Sequence, residues 1–226
     1  MVDSRQELLT GNLSEVAVDI IGLGMHGSWV AITMARMGIS KMRLWDDDEV
    51  GEENLETQAY RPVDVGRKKT DALYRVLKLF GYTGIIELRG KFELVIDQAG
   101  GMEAFYPIVL CHADSMLTRQ EVAKHAMMSE SALFIESRSA ANDLFIHSFV
   151  PTMEKLSLYL NGYFPENIQQ VACGATGSIA VGMQVAGIIG GIISVSKAGE
   201  FADMLPNEHS ISLGMYHTSR PFKIKY

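Results

Sequence analysis

The run Val16 to Ile21 followed by Gly22-Leu23-Gly24-Met25-His26-Gly27 constrains this chain more than any other feature in it. VAVDII is short, mostly apolar and rich in β-branched residues, the composition of a buried strand. Glycines at the first, third and sixth places of the turn let the main chain approach a phosphate closely. A helix that starts there points unpaired N–H groups and a partial positive charge at the same spot. Ser28 to Met37 contains no Gly or Pro and is followed by Gly38, so a helix is predicted with Ser28 as its cap. Met42 to Trp45 then reads as a second strand and ends in Asp46, Asp47 and Asp48. An acid about 20 residues beyond the last glycine is where a ribose-binding carboxylate belongs in a nucleotide-binding βαβ unit.

The same punctuation continues along the chain. Asp71 to Phe80 is amphipathic and closed by Gly81, which predicts a helix, and Leu117 to Met128 predicts another. Strands are expected at Ile85 to Leu88, Leu94 to Ile96, Tyr106 to Cys111, Leu133 to Ile135 and Leu144 to Val150. Tyr159 to Gln170 shows little periodicity and reads as part of a crossover over about 151–171. The alternation predicts an α/β fold: a Rossmann-like, mostly parallel sheet with helices on both faces, forming one domain over residues 1–226 behind a short N-terminal segment, 1–15. Ala175 to Val195 is free of charge and close to the length of a membrane span. Ser178 and Gln184 interrupt it, and no basic cluster or aromatic belt flanks it, so a buried helix of a soluble core is expected and no membrane partner.

Composition excludes other classes. With 20 basic and 27 acidic side chains the net charge is −7, which provides no footprint for nucleic acid. Only Cys111 and Cys173 occur, too few for a disulfide scaffold or a four-cysteine zinc site, and a reduced, cytoplasmic setting follows. The polar, acidic first sixteen residues lack the pattern of an export signal.

GLGMHGS at 22–28, LWDDDEV at 44–50, NLETQ at 54–58, DVGRKK at 64–69, IVLCHADSMLTR at 108–119 and ACGATGSIAVG at 172–182 together resemble the ThiF/MoeB family, bacterial relatives of ubiquitin-activating enzymes. The resemblance implies adenylation by ATP and Mg²⁺ of the C-terminal carboxylate of a ubiquitin-like protein, a sulfur-carrier protein or a peptide, in a homodimer. It further implies that Gly22, Gly24 and Gly27 cradle the nucleotide, that Asp46 holds the ribose and that Asn54 and Lys69 contact phosphates. Asp48 and Gln58 would support them, and Asp114 would hold Mg²⁺. Asp97 also ends an apolar run, but the Arg119 that follows Asp114 selects the latter. Cys173 stands where some members form a thioester or persulfide with the carrier. The CxxC pairs that bind zinc in many relatives are absent, so no zinc is expected.

One departure bears on activity. Thr57 replaces the arginine that precedes the glutamine in the family's NLxRQ segment, removing a guanidinium expected on phosphate oxygens. Arg61 could stand in for it; the resemblance also implies a second arginine from the N-terminal segment of a partner subunit, for which Arg5 is the one arginine ahead of the glycine turn. Two alternatives therefore remain beside the adenylating enzyme: a degenerate subunit completed by a partner, and an NAD-dependent oxidoreductase, which the glycine turn and acid would also suit.

Overall fold

Strand alternation sorts the core into two layers. In β1 (Ala17–Ile21), Val18 and Ile20 join one buried cluster while Ile21 joins the other, and β4 (Ile108–Cys111) divides Ile108 and Leu110 from Val109 and Cys111 in the same way. A strand apolar on both faces must be covered on both, which is the condition for a parallel sheet. The computed structural model describes residues 13–93, 103–140, 143–163, 179–198 and 209–214.

The remaining elements, in chain order, are α1 (Met25–Met37), β2 (Lys41–Trp45), α2 (Lys69–Leu79), β3 (Ile85–Arg89), α3 (Met116–Met128, after β4), β5 (Leu133–Ala140), β6 (Asp143–Phe149), α4 (Met153–Tyr163), α5 (Ile179–Ala198) and β7 (His209–Gly214). They build a seven-stranded sheet in the order β3-β2-β1-β4-β5-β6-β7. The first five strands run parallel, and β6 and β7 add antiparallel. Helices α1, α2 and α5 cover one face, and α3 and α4 the other. Ile21 pairs with both Trp45 and Cys111, and Cys111 with Glu136, so β1, β2 and β4 end level while β5 runs on past them.

The expected fold is present, with four local differences. Helix α1 starts at Met25, so Gly24 is its cap and Ser28 lies inside it, fully buried. The Ser28 hydroxyl instead accepts a hydrogen bond from the Ala59 N–H at 3.1 Å. Strand β5 continues beyond Ile135 through Glu-Ser-Arg-Ser because β6 pairs it along that length, β4 reaching only to Glu136. Helix α4 occupies the start of the expected crossover: Leu156 and Tyr159 give it an apolar edge against Phe134 and Phe149. Helix α5 buries Val181, Val185, Ala186, Ile189 and Ile193 but exposes Ile179 and Met183, so it is covered on one side and not all round. No helix among the described residues is long and apolar enough to cross a membrane. The expected strand at Leu94 to Ile96 lies outside the described residues.

Candidate active site

The turn after β1 is a backbone cradle. Gly22 has φ +84°, and a Cβ there would stand 2.7 Å from the carbonyl carbon of His112. A Cβ on Gly27 would run into the Gly22 carbonyl oxygen, so the helix meets the strand only without one. The α1 N-terminus has no side-chain cap and no acid in its first turn. Around Gly24 there is open space, with no atom within 4 Å of where a Cβ would be. Uncapped N–H groups facing open space suit an anion such as a nucleotide phosphate.

Asp46, at the end of β2, closes one side. Its Oδ2 accepts from the Leu23 N–H at 2.7 Å and its Oδ1 from the Asp48 N–H at 2.9 Å. Burial raises its pKa, opposed by Lys69 and by these two donors. Tyr60 donates to the Leu23 carbonyl at 2.7 Å, and the Trp29 indole donates to the Thr57 carbonyl at 2.9 Å. These bonds and Ser28–Ala59 hold the 54–60 segment against the cradle.

The other expected residues of this region fall as follows. Lys69, buried at the start of α2, pairs with Asp48 at 2.6 Å. Asn54 Oδ1 accepts from the Gly51 N–H at 2.9 Å, closing a short 3₁₀ turn. Gln58 lines a largely apolar cavity of about 390 Å³ with Trp29, Leu55, Arg61 and Val76. One edge of the Arg61 guanidinium, Nε and Nη2, donates to Asp64, each at 2.8 Å. Asp46, Asp47 and Asp48 lie close enough to share a cation. Asp46, however, spends an oxygen on each of two backbone donors and Asp48 is paired with Lys69, so this triplet is built as a loop support.

Asp114 follows β4, on the other side of β1 from β2. It is exposed just past β4, on the stretch whose His112 N–H donates to the Ile21 carbonyl at 2.7 Å and packs on Gly22. An exposed carboxylate is an oxygen donor of the kind Mg²⁺ takes. Arg119 points inward, nine-tenths buried, onto Glu136 and the Ser137 carbonyl. The same Glu136 accepts two bonds from Arg138 at 2.7 Å and one from the Tyr159 hydroxyl at 2.7 Å. Burial alone would raise the Glu136 pKa, but Arg119 and Arg138 outweigh it and hold the carboxyl below the ordinary range. Beside them Ser137 Oγ lies 2.8 Å from His26 Nδ1 and 2.7 Å from His112 Nδ1. Burial lowers the His26 pKa to about 4 and that of His112 well below the usual value, so both rings are neutral. Arg5, Cys173 and Asp97 lie outside the described residues.

The ThiF family profile matches residues 4–210. The chain belongs to the ThiF family. Among similar proteins, ubiquitin-like modifier-activating enzyme 5 of Arabidopsis thaliana is 33% identical over 93 residues, covering 41% of this chain and 21% of that protein. Adenylyltransferase and sulfurtransferase MOCS3 of Caenorhabditis briggsae is 32% identical over 113 residues, 48% of this chain and 27% of that protein. Among solved structures, E. coli MccB with ATP superposes with a TM-score of 0.66 at 17% identity, over 96% of this chain and 66% of MccB. The matches thus span about a quarter of the curated relatives and about two thirds of MccB.

Within this ThiF-family chain the glycine turn, Asp46 and Asp114 come together at the carboxyl edge of the sheet, where ligands bind in open α/β folds. Sequence reasoning missed the polar group around Glu136 and Ser137. Its signal was present: Glu136 and Arg138 carry opposite charges two residues apart, and therefore on one face of a strand.

Proposed function

We propose that this protein adenylates a carboxylate, using ATP with Mg²⁺, and that the acyl substrate is the C-terminus of a ubiquitin-like protein, a sulfur-carrier protein or a peptide. The observation that carries this reading is the uncapped N-terminus of α1 in its glycine cradle, with one carboxylate, Asp46, on the β2 side and another, Asp114, on the β4 side. The names of the two curated relatives support it, one a ubiquitin-like modifier-activating enzyme and the other an adenylyltransferase.

In this reading the ribose lies against Asp46 and the phosphates lie over the first turn of α1, where the backbone N–H groups supply donors without reorganisation. Lys69, 2.6 Å from Asp48, turns to the phosphates from the start of α2. Asp114 would hold Mg²⁺, which would neutralise phosphate charge. A carboxylate oxygen of the substrate attacks the α-phosphorus as the bond to the β-phosphate oxygen breaks, giving an acyl adenylate and pyrophosphate. The work of the protein is positioning and charge stabilisation.

Calorimetric titration of Mg·ATP tests it, with NADH as control. Wild-type protein is expected to bind Mg·ATP and not NADH, and Asp46→Ala to bind at least about tenfold more weakly, since it removes a ribose acceptor and the tether on Leu23. Equal affinity in wild type and variant, or preference for NADH, would refute the assignment. The second reading, a subunit completed by a partner, is favoured by Thr57 together with the engagement of Arg61 by Asp64. Mg·ATP binding without pyrophosphate exchange, restored by Thr57→Arg, would select that reading.

A further inference from the structure

The first turn of α1 has no side-chain cap, which leaves its N–H groups for a ligand and the helix start without the usual tether. A tether is present on the buried side. His26, the second residue of α1, places Nδ1 2.8 Å from Ser137 Oγ, and His112, the first residue after β4, places Nδ1 2.7 Å from the same oxygen. All three residues are buried, Ser137 completely. Neither Nε2 has a hydrogen-bond partner among the described residues, so there Ser137 is the one hydrogen-bonding anchor of each ring.

The anchor itself is fixed. The β4–β5 pairing ends at Cys111 and Glu136, so His112 and Ser137 stand level one step beyond it, and their side-chain bond prolongs the join where the main-chain pairing stops. Toward β6, Ser137 pairs with Ile146, and its carbonyl accepts from Arg119 at 2.9 Å. The two residues it holds both belong to the cradle. His26 lies in the first turn of α1, directly before Gly27. His112 donates its N–H to the Ile21 carbonyl, its backbone packs on Gly22, and its ring Cδ2 is 3.3 Å from where a Cβ on Gly27 would stand. One hydroxyl hydrogen serves only one of the two rings, so at least the other ring must carry a hydrogen on Nδ1 and donate it.

We infer that Ser137 is a positioning residue for the nucleotide phosphates: through His26 and His112 it holds the helix start and the strand end on the two sides of the glycine turn at a fixed spacing, so that the N–H groups of the first turn meet the phosphates already in place. This rests on the nucleotide part of the adenylation reading. A binding element set in advance loses less on association than one that must be ordered by its ligand, and groups behind it supply that setting. Removing the hydroxyl leaves two buried ring nitrogens unpaired at once, and the turn relieves them only by moving.

The test uses the full chain and three readouts: calorimetric titration of Mg·ATP, NMR titration of adenosine, and long-range ¹H–¹⁵N correlation of the histidine rings in ¹⁵N-histidine-labelled protein. In wild type at least one of the His26 and His112 rings is expected to carry its hydrogen on Nδ1; hydrogens on Nε2 alone in both rings would rule out the double bond and overturn the inference. Ser137→Ala should weaken Mg·ATP by about ten- to a hundredfold and leave the affinity for adenosine, which has no phosphate, as it is in wild type. Ser137→Thr keeps the hydroxyl and should retain most of the Mg·ATP affinity. His26→Leu cuts the tether at the helix and should repeat the Ser137→Ala pattern, which covers the case in which Ser137→Ala does not fold. Unchanged Mg·ATP affinity in Ser137→Ala would overturn the inference. Equal losses for Mg·ATP and adenosine would do the same, since they report a general loosening of the fold, and so would a Ser137→Thr variant as weak as Ser137→Ala. In each of these cases wild type still binds Mg·ATP and the inference falls alone. If wild type does not bind Mg·ATP, the adenylation reading falls and takes this inference with it.

Discussion

Replacing Glu136 by Gln tests how the β4–β5 end of the sheet is held. Glu136 is fully buried and accepts from Arg119, twice from Arg138 and from Tyr159. Glutamine has the same shape but only one acceptor oxygen, and its NH₂ would face donors. The greater loss is charge: Arg119, 3% exposed, would remain without its carboxylate. Removing one partner of a buried ion pair costs about 3–5 kcal/mol, a large part of the roughly 5–15 kcal/mol by which a domain is stable. For a chain of this size 1 kcal/mol moves Tm by about 2–4 °C, so Glu136→Gln should lower Tm by about 6–20 °C. Thermal unfolding followed by circular dichroism at pH 7 measures it. Glu136→Gln/Arg119→Met, which removes the stranded charge, should recover part of the loss. The pH dependence has a fixed sign. Because the folded-state pKa of Glu136 lies below its ordinary value of 4.5, its contribution is present above that pH and is lost as pH falls through the folded value. A Tm drop of less than about 3 °C would show that the two guanidiniums do not depend on this carboxylate, and would refute the reasoning.

Asp114→Ala should retain Mg·ATP binding within a few fold but lose carboxylate-dependent pyrophosphate exchange by at least about a hundredfold, as measured by isotope exchange; retained exchange would remove Asp114 from the chemistry. Gly27→Ala should abolish Mg·ATP binding in calorimetry and destabilise by about 1–3 kcal/mol, because its Cβ meets the Gly22 carbonyl and backbone must move. Asp19, buried in β1 against Trp45 and Arg43, has its pKa raised by burial from 3.8 to about 6. Its neutral form is favoured in the folded state, so its contribution is present below pH 3.8 and lost as pH rises through about 6. A ¹³C NMR titration should place the carboxyl midpoint near 6, and a midpoint near the ordinary value would show that Arg43 and the N–H donors outweigh burial.

The sequence by itself determined the βαβ unit, because its signals are local: an apolar run, glycines at fixed spacing, a helix without breakers and an acid at the end of the next strand. The positions of Asp46 and Asp114, each just past the end of a strand, were legible for the same reason. Boundaries were read less well where a tertiary partner decides them. Ser28 looks like a cap until Ala59 occupies its hydroxyl, and β5 outruns its apolar core because β6 pairs its polar end. Leu156 and Tyr159 formed too short an apolar edge to announce α4 before Phe134 and Phe149 were placed against it. Only the tertiary structure could decide the charged and hydroxyl network. His26 reaches Ser137 across 111 residues and His112 reaches it across 25, and neither distance follows any local period. Arg119, Glu136 and Arg138 likewise carry ordinary surface-type side chains in the sequence. Burial beside one another is what turns them into a fixed cluster, because in a low-dielectric interior a charge must find its partner or remain costly.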